Sequence, residues 1–272
     1  MLASIGVWCL LCWAALRIHR PGPFLLRNTP GRPNRLNVFH VVGLLLVMLP
    51  AQMGLALLLA RLTGTELAPG RPVPMSVSLP TQTIVQVAVL ALSLATAAKC
   101  FRHGLRRGLG LRGNHWLWDI ARGVGGLLII LPAVVGTLVA TQWVFEWLDW
   151  PRQAHPLLEQ LLTAPLGWQA AAIFGAVVLA PLAEEVLFRG LLQSMLRTHF
   201  GHPWPAVIVA SLMFASVHAT AEPQGVPALF VLSLALGYNY ERTGRLWSPI
   251  VLHAVFNAAM IWGQFVQPLP GA

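Results

Sequence analysis

Eight apolar segments, at about residues 2–17, 38–61, 82–99, 123–146, 169–189, 204–220, 226–240 and 246–266, set what this chain can become. Each is near the roughly 20 residues that a tilted helix needs to cross the hydrocarbon of a bilayer, although the first and seventh are short. At that depth backbone polar groups meet no water, and a helix pairs them within its own segment. The expected fold is therefore all-α: a polytopic membrane protein with about eight transmembrane helices packed as a bundle. Composition agrees, with 56% hydrophobic and 10% charged residues, against about 25% charged in ordinary soluble domains.

The basic residues, 17 Arg and one Lys, give a net charge of +9. They fall mostly between apolar runs, where membrane orientation explains them better than nucleic-acid binding. The bilayer, and no nucleic acid, is the expected partner of these charges. The loops after segments one, three, five and seven carry fifteen of them, and the remaining loops hold only Arg61, Arg71 and Arg152. That alternation supports eight spans and places both termini on the non-cytoplasmic side. Segment one lacks a basic stretch before it and is followed by Arg17 and Arg20, the reverse of a cleavable signal peptide, so it reads as a retained helix.

Cys9 and Cys12 form a CxxC inside an apolar run with no second pair, and Cys100 stands alone. Packing thiols are the expected reading, and no cofactor or metal is expected.

Residues 1–168 form an N-terminal set of helices and loops without a recognisable motif. Within them, 147–168 could include a short interfacial helix anchored by Trp147 and Trp150. The chemistry-bearing residues concentrate in 169–266, a second region of what is expected to be one membrane domain. Segment five contains Ala180-Pro181-Leu182-Ala183-Glu184-Glu185-Val186-Leu187-Phe188-Arg189-Gly190. An ionisable group at bilayer depth costs roughly 2.5–3.5 kcal/mol even on lenient insertion scales, so such a cluster calls for a reason. Glu185 and Arg189 are four apart and face each other on a helix. Glu184 lies about 100° around the helix and has no such partner. An unpartnered, partly desolvated carboxylate beside a negative neighbour is a candidate general base. Pro181 removes the backbone hydrogen bond to the Val177 carbonyl and is expected to kink the helix ahead of the pair.

Segment six places Phe214 and His218 on one helical face, and segment eight does the same for His253 and Asn257. Each His alone fits interhelical polar glue. Together, Glu184, His218, His253 and Asn257 supply a base, two imidazoles and an amide from three neighbouring spans. A carboxylate with a His can activate water, and Asn and His can donate to a developing oxyanion. The set suits hydrolysis of an amide or ester in a wet pocket sunk in the membrane.

Glu184-Glu185-x-x-x-Arg189, Phe214-x-x-x-His218 and His253-x-x-x-Asn257, with Leu236-Gly237 and Glu241-Arg242-Thr243-Gly244-Arg245-Leu246-Trp247 before the last His, resemble the signature of the CPBP (ABI) family. That family comprises type II CAAX prenyl endopeptidases and bacteriocin-processing-related membrane proteases. The resemblance covers about residues 169–262. It implies an intramembrane, metal-independent glutamate-type endopeptidase on a CAAX-protease-like helical bundle. Glu184 would activate water with His218, His253 and Asn257 would stabilise the oxyanion, and Glu185, Arg189 and Phe214 would support them. The implied substrate is a membrane-associated peptide or protein, lipidated ones included, and the implied location is the plasma membrane of a bacterium.

Three other readings compete. A zinc hydrolase could take two His and a Glu, but no HExxH is present and Arg189 opposes a dication. Serine chemistry lacks a GxSxG elbow, and Ser216 lies on the wrong side of the helix from His218. A transporter or non-catalytic immunity-type scaffold that binds a peptide partner is the alternative outside enzymes, though no internal repeat is visible. Access from the cytoplasmic side is expected. Counting 1.5 Å per residue from the cytoplasmic ends, however, puts His253 about 10 Å deep and His218 about 20 Å deep, which one shared site does not allow.

Overall fold

The computed structural model describes Leu26, Thr29 and residues 31–68, 72–150, 160–220 and 222–266. Its long helices are α1 (Val38–Thr63), α2 (Met75–Cys100), α3 (Trp116–Trp147), α4 (Leu166–Phe200), α5 (Pro203–Val217), α6 (Val226–Thr243) and α7 (Trp247–Val266). Five of these, α1, α2, α3, α4 and α7, are long and apolar enough to cross a membrane. The protein is an all-helical bundle. The first apolar segment, within residues 1–25, and residues 151–159 of the possible interfacial helix lie outside the described residues, while Trp147 ends α3.

Burial sorts the helices into lipid-facing and central ones. In α1 only Val41 and Ala60 are buried, while Phe39, Leu46, Met53 and Leu62 are exposed, as lipid contact requires. In α4, all nine residues from Glu185 to Gln193 are buried, so these roughly two turns are enclosed on every side. Val186, Phe188, Leu191 and Leu192 pack there against Val85 and Val89 of α2, Phe214 of α5, Tyr240 of α6 and Ile250 of α7. On the other side α3 packs along α6 and α7 through Leu127, Val134, Leu232, Leu236, Leu252 and Phe256. Close approach of α6 to α4 needs Gly237, where a Cβ would lie 2.7 Å from the Gln193 amide oxygen.

Several sequence expectations are revised. The fifth segment extends to Phe200, so Arg189, counted among the loop charges, is a buried residue inside a helix. The first half of the chain also contributes an ionisable residue to a span: Asp119 of α3 is buried and meets Arg245, with Arg245 Nε 2.6 Å from Asp119 Oδ1. Asp119 precedes the apolar run, which is why hydropathy excluded it.

Pro181 also acts differently from a simple kink. The helix widens into a π-helical turn over Gly175–Leu179, in which the Ala180 N–H reaches back five residues to the Gly175 carbonyl. In that register the carbonyl that Pro181 cannot serve is Ala176, not Val177. The missing donor comes from another helix, since Asn257 Nδ2 of α7 donates to the Ala176 carbonyl at 2.8 Å.

Part of the conflict between the depths of the two histidines lies at the start of α7. Ser248 Oγ in its first turn donates to Asn239 Oδ1, one turn before the end of α6, at 2.9 Å. The chain therefore climbs back into the bundle before α7 begins, and counting from the loop underestimates the depth of His253. On the other helix, α5 ends at Val217, and His218 is its C-terminal cap rather than a mid-helix residue.

Candidate active site

The site forms where α4, α5, α6 and α7 meet. Arg189 Nη1 donates to Glu185 Oε1 at 2.8 Å, across one turn of α4. Both side chains are shielded from solvent, at 1% and 0% exposure. A buried pair of this kind is costly unless its remaining groups also find partners, which Glu185 Oε2 does not among the described residues. Arg189 Nη2 finds one by donating to Ser233 Oγ of α6 at 2.8 Å, and its guanidinium lies 4.7 Å from the centre of the Phe214 ring. Ser233 was not singled out from the sequence, where it is one small residue in an apolar run.

His253 of α7 stands between the two carboxylates. Its Nδ1 lies 2.9 Å from Glu185 Oε1, and because a carboxylate oxygen accepts, Nδ1 carries the proton. Its Nε2 is 3.8 Å from Glu184 Oε2, too far for a direct hydrogen bond but close enough for a bridging group. Glu184 is 24% exposed, against 0% for Glu185. Adjacent residues of one helix thus have opposite surroundings. Glu185 is committed to Arg189 and His253, whereas Glu184 has one face open.

His218 Nδ1 lies 2.8 Å from the Phe214 carbonyl, one turn back on α5. That carbonyl can only accept, so Nδ1 carries a proton, and in the neutral ring Nε2 is then a lone-pair acceptor. Phe214 holds the two imidazoles together, with ring centres 4.8 Å from His218 and 5.7 Å from His253, and packs edge-on against Phe188 at 5.2 Å. Asn257 lies one turn beyond His253 and spends one amide N–H on Ala176. In the turn after His218, burial pushes the Glu222 carboxyl above the ordinary carboxylate range, while nearby His218 pulls it back. No three His, Cys, Asp or Glu are grouped as a metal site would need among the described residues.

Residues 166–259 match the family described as type II CAAX prenyl endopeptidase Rce1-like. These residues carry an Rce1-like domain. It opens on the first residue of α4 and closes in α7, two residues after Asn257.

Among curated proteins, the chain is 27% identical over 187 residues to "Putative membrane peptidase YdiL" of Bacillus subtilis (strain 168), covering 65% of this chain and 67% of that protein. It is 37% identical over 83 residues to "Uncharacterized protein YpbD" of the same organism, covering 30% of this chain and 39% of that one. It is 33% identical over 78 residues to "Uncharacterized 24.3 kDa protein" of Escherichia coli, covering 28% and 36%. The chain thus spans little more than a third of the length of the last two relatives. No solved structure matches it. Every residue of the constellation, from Glu184 to Asn257, lies inside the Rce1-like domain.

Proposed function

We propose that the chain is an intramembrane endopeptidase of the glutamate type, in which Glu184 is the general base. The observation that carries this reading is the asymmetry of the two carboxylates. Glu185 is buried and held by Arg189 and His253, and Glu184, its neighbour, is open on one side and faces an imidazole. A base must reach a water that is itself in contact with substrate, and of the two carboxylates Glu184 is the one with an exposed face, which supports this reading.

In this scheme Glu184 takes a proton from water, with His218 Nε2 as the second acceptor that orients it. The hydroxide attacks the peptide carbonyl carbon, the C–N bond breaks, and the proton passes to the leaving amine. His253 and Asn257 hold the oxyanion. With Nδ1–H committed to Glu185, His253 donates from Nε2 only when doubly protonated, with a carboxylate on each side of the ring. Asn257 has a second amide N–H beyond the one on Ala176, and the reading assigns that one to the oxyanion. Glu185, Arg189, Ser233 and Phe214 orient these groups and do not touch the reacting atoms. A substrate already in the membrane, lipid-tethered chains included, suits a site built from spanning helices, and the plasma membrane of a bacterium is the proposed setting.

The test is a comparison of membrane proteomes from cells making the wild-type chain or Glu184→Gln. New peptide termini that depend on Glu184 are expected. Identical sets of termini, with an unchanged phenotype, would instead indicate a scaffold that binds without cutting.

A further inference from the structure

At the end of the bundle where α2 and α6 finish and α3 begins, a cavity of about 570 Å³ is lined by Arg32, His103, Arg107, Arg112, Arg242 and Glu241. Four arginines and a single acidic residue therefore line it. That carboxylate is already engaged from within the bundle, since Glu241 Oε1 accepts from Gln193 Nε2 at 2.9 Å and Oε2 lies 3.9 Å from Arg197 Nε. Asp119, the other buried acid at this end, is taken by Arg245. Among the described residues, no carboxylate lies within ion-pair distance of Arg107, Arg112 or Arg242. Arg32 is fixed in place, stacked 3.7 Å over the Tyr240 ring and donating to the Tyr240 carbonyl.

Unpaired like charges held around a concave space repel one another, and an anion relieves that cost. Guanidinium groups match phosphate oxygens in geometry as well as charge. The level of the cavity points to where such a phosphate comes from. Trp116, Trp118 and Trp247, exposed at this end of the spans, mark the depth at which indoles sit among lipid headgroups. Basic pockets between helices at that depth suit anionic headgroups. The volume also exceeds what a lone ion fills and falls in the range of small-molecule sites.

We propose that this cavity binds a phosphate group, carried by an anionic lipid at the membrane surface. The site is separate from the Glu184 constellation and does not depend on the chain being a peptidase. Orientation of the chain in the membrane requires only that arginines lie in this loop; it does not require them to line a cavity. Arg102 and Arg106 are exposed in the same loop but outside the cavity, and so provide a control matched in charge.

The experiment follows thermal unfolding of the full chain in a neutral detergent while dioctanoyl phosphatidic acid, dioctanoyl phosphatidylcholine or inorganic phosphate is added. A saturable rise in Tm is expected with phosphatidic acid and not with phosphatidylcholine. In Arg107→Ala/Arg242→Ala the half-saturating concentration should rise roughly thirtyfold, and in Arg102→Ala/Arg106→Ala it should be unchanged. An equal rise with inorganic phosphate supports the site and assigns its ligand to soluble phosphate. No rise in the wild-type chain, an equal rise with phosphatidylcholine, or equal loss in both double variants would overturn the proposal.

Discussion

Glu184 and Glu185 show how little separation along the chain is needed to give two carboxylates different surroundings. A rotation of about 100° per residue turns one into a closed pair and the other toward open space. Replacing Glu184 by Gln keeps size and hydrogen-bonding capacity but removes the proposed base. In the purified protein, Glu184→Gln and His218→Ala should each lower kcat by about 10²–10⁴-fold or more with Tm little changed, read by cleavage of a membrane peptide. Retained turnover in either variant would sink the assignment. The opposite pattern is expected at Arg189. Arg189→Met leaves Glu185 buried without its cation, which typically costs about 3–5 kcal/mol. Thermal unfolding should show that loss, and a Tm equal to wild type would mean that Ser233 and His253 suffice without the guanidinium. The glutamate route also predicts that dialysis against a chelator leaves activity intact. Loss that added zinc restores would favour a metal hydrolase.

At the level of elements, α4 is organised around a backbone defect. Pro181 and the π-helical turn before it expose the Ala176 carbonyl, and Asn257 of α7 meets it. An unmet buried carbonyl costs about 1–3 kcal/mol. Asn257→Ala should therefore destabilise by that amount. In a Pro181→Ala background the restored N–H at position 181 can serve the carbonyl instead, so the cost of Asn257→Ala should shrink. A double-mutant cycle on Tm measures the coupling. Strict additivity would show that the two features are unrelated. The same contact ties α7 to α4 at the level of His253, so the amide that anchors the helix also helps to set the height of the imidazole.

Over the whole molecule, polar groups run through the bundle from the site toward the basic end. Arg189 meets Ser233 and Gln193 meets the Gly237 carbonyl at the same offset of 44 in sequence, which marks α4 and α6 as parallel, and Gln193 also reaches Glu241 one turn further on. Both helices therefore deliver their C-terminal ends to the face that carries the arginine-rich loops. From the charge alternation of the sequence we propose that this face is cytoplasmic. A cysteine placed at Arg106, in a chain whose own cysteines are replaced, should react with an impermeant maleimide only once the membrane is opened. Labelling in intact cells would reverse the orientation.

Part of this protein was legible in the order of its residues. Apolar run lengths announce an all-helical membrane bundle because a spanning helix must satisfy its own backbone. Glu185 with Arg189 and Phe214 with His218 were readable because positions four apart on a helix are neighbours whatever surrounds them. Run lengths said less about helix ends, as α4 passed through two charges to Phe200 and α5 stopped short at Val217. What only the tertiary structure decided are the contacts between helices. His253 between two carboxylates, Ser233 on Arg189, Asn257 on Ala176 and Asp119 on Arg245 join residues 44 to 126 positions apart. No periodicity relates such positions; they meet because packing brings the helices to particular heights and rotations. That packing leaves one glutamate of a pair closed in by Arg189 and His253 and the other open on one side.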